Sequence, residues 1–251
     1  MGLRAIEFAL ERRGATVWSV PTVILPWHPG LGRSTRLVVD ALPEQLTDLA
    51  AHAGTVDAIL TGYFASAAQV RAAGRFIDAV RAVRPIVVIV DPVSGDEGGR
   101  YIPDDVAEAI VAELLPRADV ATPNINELRD LGGGATVEAA RGLGPADVVV
   151  TSAVADATRV GAWLVSGASM RTITHPRLTE VARGTGDLFS GVLTSALLAD
   201  PADKIGAVRT AAAATLGVIA GSGATALDLV GNQEAIARPD IAAIADVEAG
   251  V

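Results

Sequence analysis

The run Arg183-Gly-Thr-Gly-Asp-Leu-Phe-Ser-Gly191 carries the strongest chemical signal in the chain. Glycines flank Thr185, and an apolar helical pattern follows. Glycine lets a backbone turn its N–H groups toward a ligand with no Cβ in the way. A helix N-terminus adds a positive partial charge. On this reading Gly184, Thr185 and Gly186 form an anion hole suited to phosphate, and Asp187 beside it takes a proton from an attacking hydroxyl. The plainer reading is a tight turn followed by an N-cap aspartate, and the segment alone does not choose between them. Glycines at 184, 186 and 191 do not fit the dinucleotide-binding spacing G-x-G-x-x-G. No Gly-Lys-Ser/Thr of a P-loop occurs, and the single lysine, Lys204, lies in no protein-kinase strand motif.

Three more segments could do chemistry, each just after a run that reads as a strand. In Asp91-Pro-Val-Ser-Gly-Asp96 the acidic residues could hold Mg²⁺ directly or through water, since ligands bind α/β sheets at the C-terminal ends of strands. Ordinary turn chemistry is the alternative, and for Asp96 it is the preferred one. In Ala121-Thr-Pro-Asn-Ile-Asn-Glu127, Asn124 and Glu127 have the spacing of a capping box. The functional alternative has them facing a triphosphate and its metal. Thr151 and Ser152 could offer hydroxyls to phosphates. All four segments are expected on one edge of a sheet, where they describe a site for a nucleoside triphosphate and metal beside a general base.

Short β-like runs alternating with helical patterns predict an α/β fold with a mostly parallel central sheet and helices on both faces. Strands are expected at 15–20, 58–61, 86–90, 119–122 and 148–151, with a hairpin from 161–165 and 170–174. Ile86-Val-Val-Ile-Val90 reads as a strand buried on both faces. Helices are expected at 43–53, 66–83, 103–115, 187–198, 203–220 and 233–237. In the second of these Val70, Ala73, Ile77 and Val80 form one apolar stripe. Ile6, Ala9, Leu10 and Arg13 lie on helical spacing, so the chain opens in a helix rather than the strand usual for such sheets.

The 251 residues are 50% hydrophobic, which excludes intrinsic disorder and suits a single domain spanning 1–251. A net charge of −9 argues against general nucleic-acid binding. The absence of cysteine excludes disulfides, thiolate catalysis and Cys-type zinc sites. No stretch of eighteen apolar residues suggests a membrane span, and the N-terminus lacks a signal-peptide core, so a cytoplasmic protein is expected.

Gly184-Thr-Gly-Asp187, Asp91-Pro-Val93 and Thr122-Pro-Asn124…Glu127 together resemble the ribokinase-like superfamily. Within it the best match is the pyridoxal kinase family, which Thr61-Gly-Tyr63, Trp27-His-Pro-Gly30 and Gly95-Asp-Glu-Gly-Gly-Arg-Tyr101-Ile-Pro103 also fit. The resemblance runs from Gly2 to roughly Gly221. It implies ATP-dependent phosphorylation of the 5′-hydroxymethyl group of pyridoxal, with Asp187 as base and the amides of Gly184, Thr185 and Gly186 stabilising the transferring phosphoryl group. It implies Asp91 and Glu127 near Mg²⁺, Asn124, Thr151 and Ser152 near ATP, and Tyr63, His28 and Tyr101 around the pyridine. It also implies a homodimer and leaves monovalent-cation dependence open. In two places the chain departs from the family. Pro29 follows His28 where the family has threonine, and Gly2–Phe8 aligns with the family's first helix, so the first strand and its serine-containing loop are expected to be missing. The alternatives are a hydroxymethylpyrimidine (phosphate) kinase and a non-catalytic nucleotide-binding relative.

Overall fold

A computed structural model of the chain describes residues 2–27, 32, 34–179 and 181–248, the side chain of Glu248 excepted. The chain enters through α1 (Gly2–Arg12), then β1 (Val23–Ile24), β2 (Leu37–Val38) and α2 (Leu42–Leu49). Next come β3 (Ala58–Thr61), α3 (Ala67–Arg81), β4 (Val87–Val90) and the small hairpin β5 (Gly95–Asp96) with β6 (Gly99–Arg100). Then follow α4 (Asp104–Ala109), β7 (Val120–Ala121), α5 (Ile125–Leu131), α6 (Val137–Gly142) and β8 (Asp147–Ala155). The last part holds β9 (Arg159–Ser166), β10 (Ser169–Pro176), α7 (Thr185–Ala199), α8 (Lys204–Ala220), α9 (Gln233–Ala237) and β11 (Ala245–Glu248). The main sheet runs in the order β11-β10-β9-β8-β7-β4-β3. This is the expected α/β architecture: β3, β4, β7 and the start of β8 pair in parallel, and the later strands add antiparallel neighbours. The backbone falls into two compact units, Ser19–Val148 and Met1–Trp18 with Val149–Val251.

In the unit Ser19–Val148 the parallel ladder is built from β-branched residues. Val88, Ile89 and Val90 are fully buried, as a strand covered on both faces requires. The stripe expected on α3 is real, because Val70, Ala73, Ile77 and Val80 are all buried. Phe76 and Val80 pack with Ala53 against Leu46, Leu49, Ile59 and Ile86. Asp119 ties the helix to the sheet, its Oδ2 accepting from Arg81 Nη2 at 2.8 Å and from the Val88 amide at 2.7 Å. The helix expected over 103–115 keeps only Asp104–Ala109 as α, passing into a π turn at Ile110–Leu114 and a 3₁₀ turn at Leu115–Arg117. Pro116 lacks the amide that would continue the α pattern, and its ring displaces the preceding turn.

In the other unit β9 and β10 form the expected hairpin, in register from Ser166↔Ser169 to Arg159↔Pro176. β11 lies on its outer side, held by Arg171, whose Nε and Nη2 donate to Asp246 at 3.0 and 2.7 Å. α7 is apolar almost all round and packs on both α1 and α8. Gly191 sets how near α1 comes, since a Cβ there would lie 3.2 Å from Ile6 Cα and 3.4 Å from Ala9 Cβ. The strand expected at 15–20 does not form. Thr16 and Trp18 are exposed while Ala15 and Val17 are half-buried, so the alternation is present. Alternation fixes an extended backbone but supplies no ladder partner.

Gly161 on β9 faces Thr174 on β10, and a Cβ there would run into the Ile173 carbonyl oxygen and sit 2.8 Å from Thr174 Cα and Cγ2. Such a clash is with backbone and cannot be relieved by a side-chain rotation. Gly161→Ala is expected to destabilise the fold by about 1–3 kcal/mol and to lower Tm by roughly 2–4 °C per kcal/mol, read by thermal unfolding against wild type.

Candidate active site

In the second unit the segment before α7 makes a sharp approach to the helix. Gly184 is left-handed, with φ 94° and ψ 11°, and serves as N-cap without any side-chain hydrogen bond to the first turn. Only glycine adopts that backbone at low cost. With no side-chain cap, the amides of the first turn and the positive end of the helix face the same space. Among the described residues nothing lies within 4 Å of where a Cβ at Gly186 would stand, so on their side the approach to this turn is open. Asp187 is not the N-cap, so that part of the plainer reading does not hold, while the left-handed Gly184 does make a tight turn. It is the third residue of α7, and its carboxylate lies against the backbone of Gly2, where a Cβ would come within 2.7 Å of Oδ1. Burial pushes the Asp187 carboxyl above its ordinary value, opposed by a hydrogen bond from its own amide. In the same unit Thr151 and Ser152 lie on β8, and Ser152 is held at φ 54°. A serine in that region costs about 1–3 kcal/mol.

In the first unit the residues after β4 and β7 form one hydrogen-bonded corner. Asn124 caps α5: its Oδ1 accepts from the amides of Asn126 at 2.8 Å and Glu127 at 3.0 Å. Glu127 Oε2 accepts from the Asn124 amide at 2.8 Å, completing the capping box. The same two side chains also hold the loop after β4, because Glu127 Oε1 accepts from the Ser94 amide at 3.0 Å and Asn124 Nδ2 donates to the Gly95 carbonyl at 3.0 Å. Asp91, buried at the end of β4, receives a hydrogen bond to its carbonyl from Val93 N at 2.9 Å, while its own amide donates to Thr61 O at 3.0 Å. The capping-box alternative for Asn124 and Glu127 is the one the structure shows, and the cap also holds the loop that follows Asp91. Asp91 and Glu127 offer hard carboxylate oxygens of the kind Mg²⁺ takes, and the Ser94 hydroxyl beside them is buried with no partner. Among the described residues no cluster of three metal-ligating side chains forms. The expected position for Mg²⁺ thus rests on chemical type and not on an assembled ligand cage.

Tyr101 is 51% exposed, and its amide donates to the Ser94 carbonyl at 3.0 Å. The hairpin that carries it is latched by Arg100, whose Nε and Nη2 donate to Asp130 at 2.7 and 2.8 Å and whose Nη1 donates to Asp104 at 2.6 Å. Tyr63 follows β3, with the Arg36 guanidinium 5.2 Å from its ring centroid. Burial raises the Tyr63 hydroxyl pKa, and Arg36 partly offsets this. His28 lies outside the described residues. Two residues near Tyr63 escaped the sequence reading. Arg36 gave no signal at all. Gln69 gave one, since Ser66-Ala-Ala-Gln69 has the spacing of a capping box.

The sequence model of the phosphomethylpyrimidine kinase family matches residues 13–229. A pyridoxine/pyridoxal/pyridoxamine kinase from Bordetella avium is 39% identical over 210 residues, covering 76% of this chain and 71% of the relative. Pyridoxal kinase PdxY from Rubrobacter xylanophilus is 30% identical over 270 residues, covering 96% and 90%. Among solved structures, pyridoxal kinase from Entamoeba histolytica superposes with TM-score 0.88 at 20% identity, covering 98% of this chain and 93% of that one, a likeness of fold. Pyridoxal kinase from Leishmania donovani in complex with ADP and pyridoxamine gives TM-score 0.85 at 26% identity, covering 98% and 94%. The fold, the glycine-bounded start of α7 and these relatives agree, and the chain belongs to the phosphomethylpyrimidine kinase family, in its pyridoxal kinase group.

Proposed function

We propose that the chain transfers the γ-phosphoryl group of ATP to the 5′-hydroxymethyl group of pyridoxal, working as one kinase domain. The single observation that carries the reading is the start of α7, where a left-handed Gly184, an uncapped first turn and a carboxylate of raised pKa occur within four residues. The relatives of 30–39% identity are kinases of pyridoxal and related vitamers, and the 26% identical structural neighbour holds ADP and pyridoxamine.

The reaction balances as follows. The alcohol oxygen forms a bond to the γ-phosphorus as the bond from that phosphorus to the β,γ-bridging oxygen breaks, and ADP leaves with the bond pair. The alcohol proton passes to the Asp187 carboxylate. A base works best when its pKa lies near the working pH, and burial moves Asp187 in that direction. The amides of Thr185 and Gly186 donate to the equatorial oxygens of the transferring group, and their fixed orientation needs no rearrangement at the moment of transfer. Thr151, Ser152 and the corner built by Asn124 hold the phosphate chain, and Tyr63, His28 and Tyr101 hold the pyridine. Asp91 and Glu127 are the residues that would hold Mg²⁺, and the ion would supply charge neutralisation to the phosphates. The reading includes a homodimer in the cytoplasm; among the described residues no helix is long and apolar enough to cross a membrane.

The family description itself favours a second reading, a hydroxymethylpyrimidine (phosphate) kinase. ADP release measured with pyridoxal, pyridoxine, pyridoxamine and hydroxymethylpyrimidine separates the two, and turnover of the pyrimidine alone would overturn the first.

Asp187→Asn is expected to leave nucleotide affinity nearly unchanged and to lower kcat by at least about a hundredfold, measured by ADP release and by calorimetric titration with ADP. The same variant has a stability signature. A carboxyl whose folded pKa is raised loses stability when ionised, so its cost is present at neutral pH and disappears as pH falls through the folded value toward the unfolded one. Asp187→Asn should therefore melt higher than wild type near pH 7, with the gap closing under acidic conditions. Asp91→Ala should shift half-saturation by Mg²⁺ to higher concentration, and an unchanged Mg²⁺ titration of activity would remove Asp91 from its role.

A further inference from the structure

Gln69 is 2% exposed, a buried amide in the first turn of α3 with no part in the reaction as described. Its side chain is spent on three separate stretches of chain. Oε1 accepts from the Ala65 amide at 2.9 Å, in the loop that carries Tyr63. Nε2 donates to the Thr22 carbonyl at 3.0 Å, just before β1, and to the Val39 carbonyl at 3.0 Å, just after β2. The Val39 amide in turn donates to Thr22 O at 3.0 Å, and Thr22 Oγ1 donates to the Tyr63 carbonyl at 2.8 Å. The β1–β2 ribbon is paired over only two residue pairs, Val23↔Val38 and Ile24↔Leu37, and the latter two side chains are largely exposed. A two-stranded ribbon this short does not hold itself in place. Its apolar contribution is small, so its seat comes from the polar contacts at its base. Arg36, which lies over the Tyr63 ring, enters β2 directly and moves with the ribbon.

We propose that Gln69 is a positioning residue for the vitamer-binding wall: one buried amide sets the Tyr63 loop and the β1–β2 ribbon in a fixed relation, and with them the Arg36–Tyr63 stack. The proposal rests on the assignment of Tyr63 to the pyridine. Glutamine suits the position because it presents one acceptor and two donors at once, matching one amide and two carbonyls. Leucine fills the space but takes the acceptor from the Ala65 amide and one of two hydrogen bonds from each of the Thr22 and Val39 carbonyls, which keep the Val39 and Leu42 amides. Glutamate keeps the acceptor, and its charged form sets a carboxylate against two carbonyl oxygens. Protonation of that carboxyl restores a single donor.

The test is steady-state ADP release with pyridoxal varied at saturating ATP, and with ATP varied at saturating pyridoxal, for wild type, Gln69→Leu, Gln69→Glu and Thr22→Val. Gln69→Leu is expected to raise KM for pyridoxal at least tenfold, and Thr22→Val, which loses only the hydroxyl bond to Tyr63 O, about threefold. KM for ATP should stay within twofold in both. For Gln69→Glu the ratio of its pyridoxal KM to that of wild type should fall as pH is lowered from 8 to 6, because the protonated carboxyl regains a donor. Hydrogen exchange supplies a readout free of turnover: Gln69→Leu should speed exchange at residues 22–24 and 37–39 at least tenfold while leaving α7 unchanged. If Gln69→Leu does not fold, Thr22→Val and Gln69→Glu carry the same kinetic comparison. Equal rises in both KM values, no rise in either, or a flat pH ratio for Gln69→Glu would overturn the positioning role. Wild type that turns over no pyridoxal while Gln69→Leu still frees the ribbon would overturn the substrate assignment instead.

Discussion

An α-helix begins with amides that have no partner inside the helix, and something must satisfy them. In this chain α3, α5, α6 and α8 settle the matter with side chains: Ser66, Asn124, Thr136 and Asp203 each accept from their own first turns. α7 does not. The cap of α7 is a glycine, its first turn is partly exposed, and its body from Leu188 to Ser195 is buried. The rest of the proposed chemistry depends on that choice. A side-chain cap would fill the place the phosphate needs, and a loosely packed helix would not keep its amides aimed. Asp187 enters on the same turn, so the proposed base and the anion hole cannot drift apart.

The corner around Asn124 works by the opposite logic. Here the cap is as complete as caps become, and both of its residues have further duties. Glu127 uses one oxygen for the cap and the other for the Ser94 amide, and Asn124 uses its oxygen for the cap and its nitrogen for the Gly95 carbonyl. The helix start and the loop after β4 are thereby one rigid piece. A cap is commonly worth about 1 kcal/mol; this one also orients the loop that carries Asp91. It follows that loss of Glu127 would disturb the loop even if no cation ever touched it, and that a mutational effect at Glu127 is by itself no measure of metal binding.

Much of this could be read from residue types in order. The β-branched run at 86–90, the stripe on α3, the hairpin and the glycine-bounded turn each declare themselves within a short window, because a strand or an amphipathic helix is a local pattern. Other features could not be read that way. The alternation at 15–20 was as good as that of real strands, yet pairing is decided by a neighbour distant in sequence. The helix at 103–115 obeyed its period, but Pro116 altered its hydrogen bonding beyond what the apolar spacing reveals. At the site, Asn124 and Glu127 were visible as a motif, while their grip on Ser94 and Gly95 required the chain to be folded. Arg36 reaches Tyr63 across 27 positions of sequence, as the numbering makes plain, and nothing in either flank announces it.

A further regularity lies in where the structure tolerates cost. Ser152 keeps a backbone angle that serine disfavours. The hydroxyls of Thr61 and Ser94 are buried without partners, and such groups cost about 1–3 kcal/mol each. Asp187 is kept in surroundings that oppose its charge. Thr215, in the middle of α8, has a similarly unpartnered hydroxyl, so an orphaned oxygen alone identifies nothing. What separates the others is their location: Thr61 ends β3, Ser94 follows β4, Ser152 stands on β8 beyond its pairing with β7, and Asp187 opens α7. A sequence selected only for stability would place alanine, valine or glycine at such points. Under the proposed function these are the segments assigned to the phosphates, the metal and the alcohol, so the costs fall where that function would use them.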